Sequence, residues 1–257
     1  MKQIKKLFIK SVKLLDLGSA IAVRLTKLTG KSKVPIHPKH LLTEKPWFTK
    51  YLKSADIVLD LGCGNGQNSI KAAKIVRKVM GSELSDQLLN LAKKSAELKR
   101  VKNIKFETVN LEEKLKYKDK TFDRIIFLDV LEHLTKRDQA LSEIKRVLKD
   151  GGLLFLGVPN SETSWKKLQR SAGVNSFSDP DHKIEFSEDS IKKLLSKHGF
   201  EIINFGYGKY DLPARGLIDI VGGFSLSLYR AITNWRAGKV LPNPHEASGF
   251  EIVAKII

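Results

Sequence analysis

Cysteine, proline and acidic residues are all scarce in this chain of 257 residues, which has a single cysteine and eight prolines. One cysteine, Cys63, cannot form a disulfide within the chain, so a disulfide framework is excluded and a reducing compartment is favoured. No apolar run reaches the roughly 18 residues that a membrane-spanning helix requires. With 42% hydrophobic residues, the composition predicts a globular protein with a buried core, built as one domain with an elaboration.

The shortage of acidic residues leaves a formal net charge of +18, because 46 Lys and Arg face only 28 Asp and Glu. An excess of this size favours anionic partners such as nucleic acid, acidic lipid surfaces or phosphorylated substrates. A generally lysine-rich, solvated surface explains the same number. The charge is uneven: residues 1–54 hold thirteen Lys or Arg and only Asp16 and Glu44 as acids.

Residues 1–30 predict a basic helix that ends at Gly30. Apolar residues recur near helical spacing between the lysines, at Ile4, Leu7, Phe8, Val12, Leu14 and Leu15. Lysines and an aspartate interrupt these short stretches, so we expect no secretory signal. Two interpretations stay open, in which the apolar stripe packs on the core or the helix lies on an anionic membrane. We therefore expect a cytoplasmic protein, with peripheral contact at the inner membrane face through residues 1–30 as an open alternative.

Short, continuous apolar strands alternate with helical segments from residue 55 onward. Strands are predicted at 57–61, 78–83, 104–109, 124–128 and 153–158, and helices at 68–76, 86–99 and 138–149. Asp138 should start the last of these helices and Gly151–Gly152 should stop it, while Ser187 and Gly199 should bound a later one. This alternation is typical of a parallel, doubly wound α/β sheet with both faces covered by helices.

The first predicted strand runs into three alternating glycines, Gly62, Gly64 and Gly66, and then into a helix. Glycine suits a sharp turn whose backbone touches a ligand. The second strand ends in an acid, Glu83, which at this position can hold both hydroxyls of a ribose. The spacing G-x-G-x-G departs from the dinucleotide fingerprint G-x-G-x-x-G, which argues against NAD. Asp60, just before the loop, is well placed to hold a cationic amino group or its waters.

Four segments, in order, resemble the class I S-adenosylmethionine-dependent methyltransferases: Asp60–Gly66, Gly81–Ser85, Phe122–Leu134 and Arg146–Gly152 with the strand after it. The third is most similar to the ubiquinone and menaquinone branch of methyltransferase type 11 proteins. The resemblance implies a Rossmann-like, three-layer αβα fold whose seven-stranded sheet is mostly parallel with an antiparallel last strand. Residues 200–205 and 250–256 would be its last two strands. We assign residues 1–45 to a basic helical extension and 46–257 to the methyltransferase domain.

The same resemblance implies S-adenosylmethionine as cofactor and a set of residues that binds it. This set is Asp60, Gly62, Cys63, Gly64, Asn65, Gly66, Glu83, Leu84, Asn110, Leu111 and Asp129. The glycines and their neighbours would line the methionine end, where Asp129 would also lie. Glu83 would hold the ribose and Leu84 would lie against the adenine, which Asn110 and Leu111 would border. Cys63 reads as a small packed residue, because nothing predicts the lowered pKa of a nucleophilic thiol.

A base is needed only if the methyl acceptor arrives protonated. His133 and His182 are the candidates, and a structural role is the alternative for each. Together with Asp129 and Glu132, they also resemble a carboxylate–histidine cluster that binds a divalent ion in some related enzymes. Because Glu132 can simply brace a helix, we assign no metal ligands.

Residues 206–249 interrupt the expected hairpin between the last two strands and carry a long apolar stretch. We interpret this insertion as a substrate cap, since loops on a fixed scaffold often carry specificity. With the basic N-terminal helix, it favours a hydrophobic or membrane-associated small molecule, lipid or glycolipid as acceptor. An RNA methyltransferase is the alternative, supported by the charge but lacking a recognisable RNA-binding module. A non-catalytic cofactor-binding module is the third interpretation, and the oligomeric state is left open.

Overall fold

The computed structural model describes residues 2–42 and 45–257. The strands are β1 Ile57–Leu61, β2 Lys78–Glu83, β3 Ile104–Thr108, β4 Phe122–Leu128, β5 Leu148–Pro159, β6 Phe200–Tyr207 and β7 Gly249–Ile256. The helices are α1 Lys2–Leu14, α2 Gly18–Leu28, α3 Pro38–Leu42, α4 Gln67–Ala73, α5 Asp86–Leu98, α6 Arg137–Val147, α7 Ser164–Ser171, α8 Glu188–Lys197, α9 Arg215–Phe224 and α10 Leu226–Val240. Short 3-10 helices span Leu15–Leu17, Trp47–Tyr51, Leu131–His133 and Pro244–Glu246.

All seven strands form one sheet in the order β3-β2-β1-β4-β5-β7-β6. Strands β1 to β5 pair in parallel, and the strand order places the antiparallel β7 between β5 and β6. The central strands are buried along their length, as the run from Val58 to Leu61 shows. Burial of successive residues requires cover on both faces, which confirms the predicted three-layer αβα architecture.

Most predicted strands and helix ends are confirmed because local signals set them. The Ser187 side chain accepts the Ser190 N–H at the start of α8, and Gly199 follows the helix with a φ of +72°. The prediction for Gly151–Gly152 was wrong. Helix α6 already ends at Val147, and both glycines lie inside β5, where its pairing with β4 shifts register. Asp138 likewise lies in the first turn of α6, whose N-cap is Lys136.

The described chain divides into two compact units. The sheet unit comprises Lys45–Pro159, Asp181–Gly206 and Phe250–Ile257. Its core includes an aromatic cluster in which Phe155 lies 5.8 to 6.0 Å from the rings of Phe48, Tyr51 and Trp47. The helical unit comprises the described residues before 43 together with Asn160–Pro180 and Tyr207–Gly249. The insertion after β6 and the N-terminal helices therefore belong to the same unit.

Close backbone packing holds α9 against the N-terminal helices within the helical unit. A Cβ added to Gly216 would lie 2.2 Å from the Leu15 carbonyl oxygen, and one added to Gly18 would lie 2.5 Å from the Gly216 carbonyl oxygen. Glycine is needed at both positions because any side chain would separate the two backbones. Within the part of the chain that the structure describes, no helix is both long and apolar enough to cross a bilayer.

Candidate active site

The glycine loop leaves β1 in a backbone conformation that favours glycine. Gly62, Gly64 and Gly66 have φ values of +68°, +54° and +76°. A Cβ on Gly62 would lie 2.4 Å from the Val130 side chain, and one on Gly66 would lie 2.8 Å from Ala92. At Gly64, by contrast, no described atom beyond its two chain neighbours lies within 4 Å of the added Cβ. The middle of the loop therefore faces open space, where a ligand can approach the backbone.

Glu83 ties this loop to the end of the neighbouring strand. Its Oε2 accepts the Gly64 N–H at 2.9 Å, and its Oε1 accepts the N–H groups of Leu84 and Ser85 at 2.9 and 3.0 Å. Three backbone donors hold the carboxylate in place and occupy three of its four lone-pair sites, so Oε2 retains one site for a further donor. A fixed carboxylate at the end of β2 matches the predicted ribose-holding role.

Asp60 lies in β1 directly beneath the loop and is only 3% exposed. Burial raises the pKa of its carboxyl from 3.8 to about 7. The hydroxyl of Ser69 donates to Asp60 Oδ2 and opposes the rise in pKa, whereas the negative charge of Glu83 adds to it. The carboxyl therefore changes charge near neutral pH, and a bound cation would favour its ionised form.

The remaining predicted cofactor residues border the loop with different chemistry. Leu84 is 63% exposed, so it offers an apolar surface for a planar ring. Burial raises the pKa of the Cys63 thiol, which supports a packed residue and not a nucleophile. The amide of Asn110 accepts the Glu112 N–H at 3.0 Å and donates to Glu113 at 2.8 Å. Asn110 thus shapes the turn after β3, where Leu111 is half-buried.

Asp129 follows β4 with a φ of +57°, a left-handed conformation that is uncommon for a residue other than glycine. Its N–H donates to the Gly157 carbonyl oxygen at 3.0 Å. Strand β1 pairs with β2 on one side and with β4 on the other, with Asp60 level with Gly81 and Ile126. Glu83 and Asp129 therefore lie at the carboxyl ends of β2 and β4, on opposite sides of β1 and its glycine loop. Strained backbone of this kind is concentrated at functional sites.

Both candidate histidines lie in one cluster next to the 3-10 helix that follows β4. The rings of His133 and His182 meet edge to face at 4.7 Å. His182 Nδ1 lies 2.9 Å from a Glu185 carboxylate oxygen, and its Nε2 lies 3.9 Å from Glu132 Oε1. Each of Glu132, His133 and His182 offers a donor atom, and these atoms all lie within 4.8 Å of one another. The set is of the type that could hold a divalent cation.

The same cluster holds the loop around Lys183 against the segment that follows β4. The carbonyl oxygen of Glu132 accepts the N–H groups of Lys183 and Ile184 at 2.8 and 3.3 Å. The side chain of His182 is 7% exposed and that of Glu185 is fully buried. This burial gives His182 and Glu185 a structural role in holding the loop.

The structure adds polar residues that sequence reasoning missed: Ser69, Ser85 and Glu185. Ser69 lies in the first turn of the helix after the loop, and Ser85 caps α5 by accepting the Leu88 N–H. The only available signal for Glu185 was its spacing of three residues from His182. Of these pairings, that of Ser69 with Asp60 joins two elements, whereas Ser85 with Leu88 and Glu185 with His182 each span only three residues.

The site fits an adenosyl cofactor by three observations: the open space at Gly64, the fixed carboxylate of Glu83 and the exposed apolar surface of Leu84. Comparisons with known proteins agree. A family model described as a methyltransferase domain matches residues 52–199, more than half of the chain. A probable S-adenosylmethionine-dependent methyltransferase of Mycolicibacterium smegmatis is 28% identical over 202 residues, which cover 73% of this chain and 72% of the relative.

A ubiquinone biosynthesis O-methyltransferase of Colwellia psychrerythraea is 31% identical, over 40% of this chain and 42% of its own length. The fold is shared with a solved S-adenosylmethionine-dependent methyltransferase of Methanosarcina mazei at a TM-score of 0.58 and 22% identity, covering 83% of this chain and 98% of the other. With a loop, carboxylates and sheet of this kind, the chain belongs to the class I S-adenosylmethionine-dependent methyltransferases, and S-adenosylmethionine is its cofactor.

Proposed function

We propose that this methyltransferase acts on a hydrophobic acceptor held at a membrane, such as a lipid, a glycolipid or another apolar small molecule. The observation that carries the proposal is the surface of the insertion. On α9 and α10, Leu217, Phe224, Leu228 and Trp235 are 45 to 61% exposed. Leu217 and Phe224 lie seven residues apart and share one face of α9, as Leu228 and Trp235 do on α10. Exposed apolar side chains that share a face are typical of interaction sites, and these lie in the segment between the last two strands.

When bound, S-adenosylmethionine supplies a methyl group on a sulfonium that is already activated. The protein's main task is then alignment, which can contribute about 7–11 kcal/mol in well-oriented cases. The glycine loop and Glu83 would hold the adenosyl part, and Asp60 the cationic amino group. If the acceptor carries a hydroxyl, His133 or His182 would accept its proton, since these are the two histidines grouped after β4.

Methylation of RNA is the second candidate, and the formal net charge of +18 favours it. The exposed apolar side chains of α9 and α10 argue against it. A nucleic-acid surface interleaves cations with stacking aromatics, whereas α9, which ends at Phe224, holds no Lys or Arg after its first residue, Arg215.

The test measures which class of molecule in a cell extract receives a labelled methyl group. Purified protein is given a methyl-labelled donor and a cell extract, and the products are separated into organic-soluble, RNA and small polar fractions. We expect the label in the organic-soluble fraction, with the Glu83→Ala variant as the control that loses it. Label in RNA, removed by ribonuclease, would establish the second candidate. Label confined to small polar products would overturn both.

A further inference from the structure

The helix α1 turns its apolar stripe away from the protein. Ile4, Leu7, Phe8 and Leu14 lie at spacings of three and four residues or their sums, and so share one face of the helix. Their exposed fractions are 74%, 68%, 66% and 66%. An amphipathic helix of a globular protein normally buries such a stripe, so this orientation is the reverse of the usual one.

The opposite face of α1 is the one that is attached. Ile9, about half a turn away from the stripe, is 1% exposed. Lys13 Nζ donates to the carbonyl oxygens of Asn175 and Phe177 in the same unit, at 3.0 Å for Phe177. The helix is therefore anchored through the face that carries Ile9 and Lys13, and its apolar stripe is held outward by contacts within the helical unit.

Charge is arranged around the stripe. The exposed Lys5 lies on one side of it, and the exposed Lys6 and Lys10 lie on the other, as their helical positions require. The apolar surface continues along the chain, because Leu17 and Leu28 are 60% and 80% exposed and Arg24 is exposed between them. An apolar stripe flanked by lysines is the pattern of a helix that lies in the interface of an anionic bilayer.

We propose that α1, with the exposed Leu17 and Leu28 after it, docks this protein on an anionic lipid bilayer. The apolar stripe would enter the headgroup boundary, and the flanking lysines would contact acidic headgroups. A second copy of the chain is a poorer occupant, because facing stripes would bring the two rows of lysines together. This inference extends the proposed function by placing the enzyme where an apolar acceptor lies, but it concerns binding and not transfer.

The test is sedimentation with vesicles of phosphatidylcholine, with or without phosphatidylglycerol. We expect the full chain to bind the anionic vesicles, to bind pure phosphatidylcholine much less, and to be released by high salt. Each lysine close to the surface contributes about a fivefold change in affinity, so Lys5→Gln/Lys10→Gln should weaken binding roughly thirtyfold. Leu7→Gln/Phe8→Gln should weaken it at least tenfold, since about a full apolar side chain is withdrawn from the bilayer at each position.

The control is Leu98→Gln/Ile203→Gln, which removes two exposed apolar residues, 44% and 45% exposed, from the sheet unit. Its vesicle binding should equal that of the wild type. All variants should melt normally, because the substituted side chains are exposed. Equal vesicle binding by wild type and Leu7→Gln/Phe8→Gln would overturn the proposal. So would absence of vesicle binding together with a dimer, measured by analytical ultracentrifugation, that the same variant dissociates.

These results separate the membrane proposal from the proposed acceptor. If the wild type binds vesicles but labels RNA, the docking surface stands and the acceptor is wrong. If it labels an organic-soluble product but ignores vesicles, the acceptor class stands and the docking surface is wrong.

Discussion

The buried carboxyl of Asp60 makes both stability and cofactor affinity depend on pH. Burial places its folded-state pKa at about 7, above the ordinary value of 3.8. Between these two values the native state binds the extra proton, so Asp60 favours folding at low pH and loses this contribution as pH rises toward 7. A difference of about three pKa units corresponds to at most about 4 kcal/mol at 1.36 kcal/mol per unit.

Asp60→Asn should remove this dependence, because the amide cannot ionise and its oxygen can still accept the Ser69 hydroxyl. In a chain of this size, 1 kcal/mol moves the melting temperature by about 2–4 °C. We therefore expect the variant to gain stability over the wild type as the pH rises from about 5 to about 8, by up to about 10 °C in thermal melts of ligand-free protein. Identical pH profiles for the two proteins would refute the reasoning.

The affinity for the cofactor should instead increase as the pH rises. The ionised carboxyl is the form that can hold the cofactor's ammonium, so binding of S-adenosylhomocysteine should tighten as the pH rises toward 7 and level off above it. Below pH 7 the loss approaches about tenfold per pH unit, since one proton must leave on binding. Calorimetry in buffers of different ionisation enthalpy would measure that proton. A wild-type affinity that does not change with pH, or an Asp60→Asn variant that binds normally, would remove Asp60 from the cofactor site.

Three further predictions follow from the structure. Glu83→Ala should weaken the binding of S-adenosylhomocysteine about ten- to hundredfold, measured by calorimetry, because hydrogen bonds to a charged group are lost while the protein stays folded. Normal binding would exclude the ribose-holding role of Glu83. Gly216→Ala should lower the free energy of unfolding by denaturant by about 1–3 kcal/mol through overpacking. Gly238→Ala should raise it by up to about 1 kcal/mol, because outside the chain neighbours and backbone of α10 no described atom lies within 4 Å of the new Cβ. Equal effects would contradict the packing. Wild type and Glu132→Ala/His133→Ala, purified without chelator, should contain equal and negligible metal, and one ion per wild-type chain alone would assign a metal site.

Local signals explain which parts of the site were predictable. A buried apolar strand, a glycine turn and a helix lie next to one another in the chain, so β1, the loop and Glu83 could be placed from the order of residues. Ser187 and Gly199 act within one helical turn, and both of those helix ends are confirmed. The prediction that Gly151–Gly152 stops a helix was wrong because two glycines can either end a helix or form a bulge in a strand. Here the neighbouring strand β4 decides between these outcomes.

Contacts between distant segments could not be predicted from the sequence, because no local pattern of residues marks them. Glu185 stands three residues from His182, but their bond matters only because the backbone of Glu132 fixes the loop between them. The close approach of Gly216 to Leu15 likewise joins residues about 200 positions apart, and no local pattern marks it.

By itself, the amino-acid order determined the alternation of strands and helices, the cofactor loop and the amphipathic character of the N-terminal helix. Each depends on residues within a few positions of one another. Only the tertiary structure decided that α1 is attached through Ile9 and turns its apolar stripe outward. Helical periodicity shows which side chains share a face, whereas the segments packed around a helix determine which face is covered.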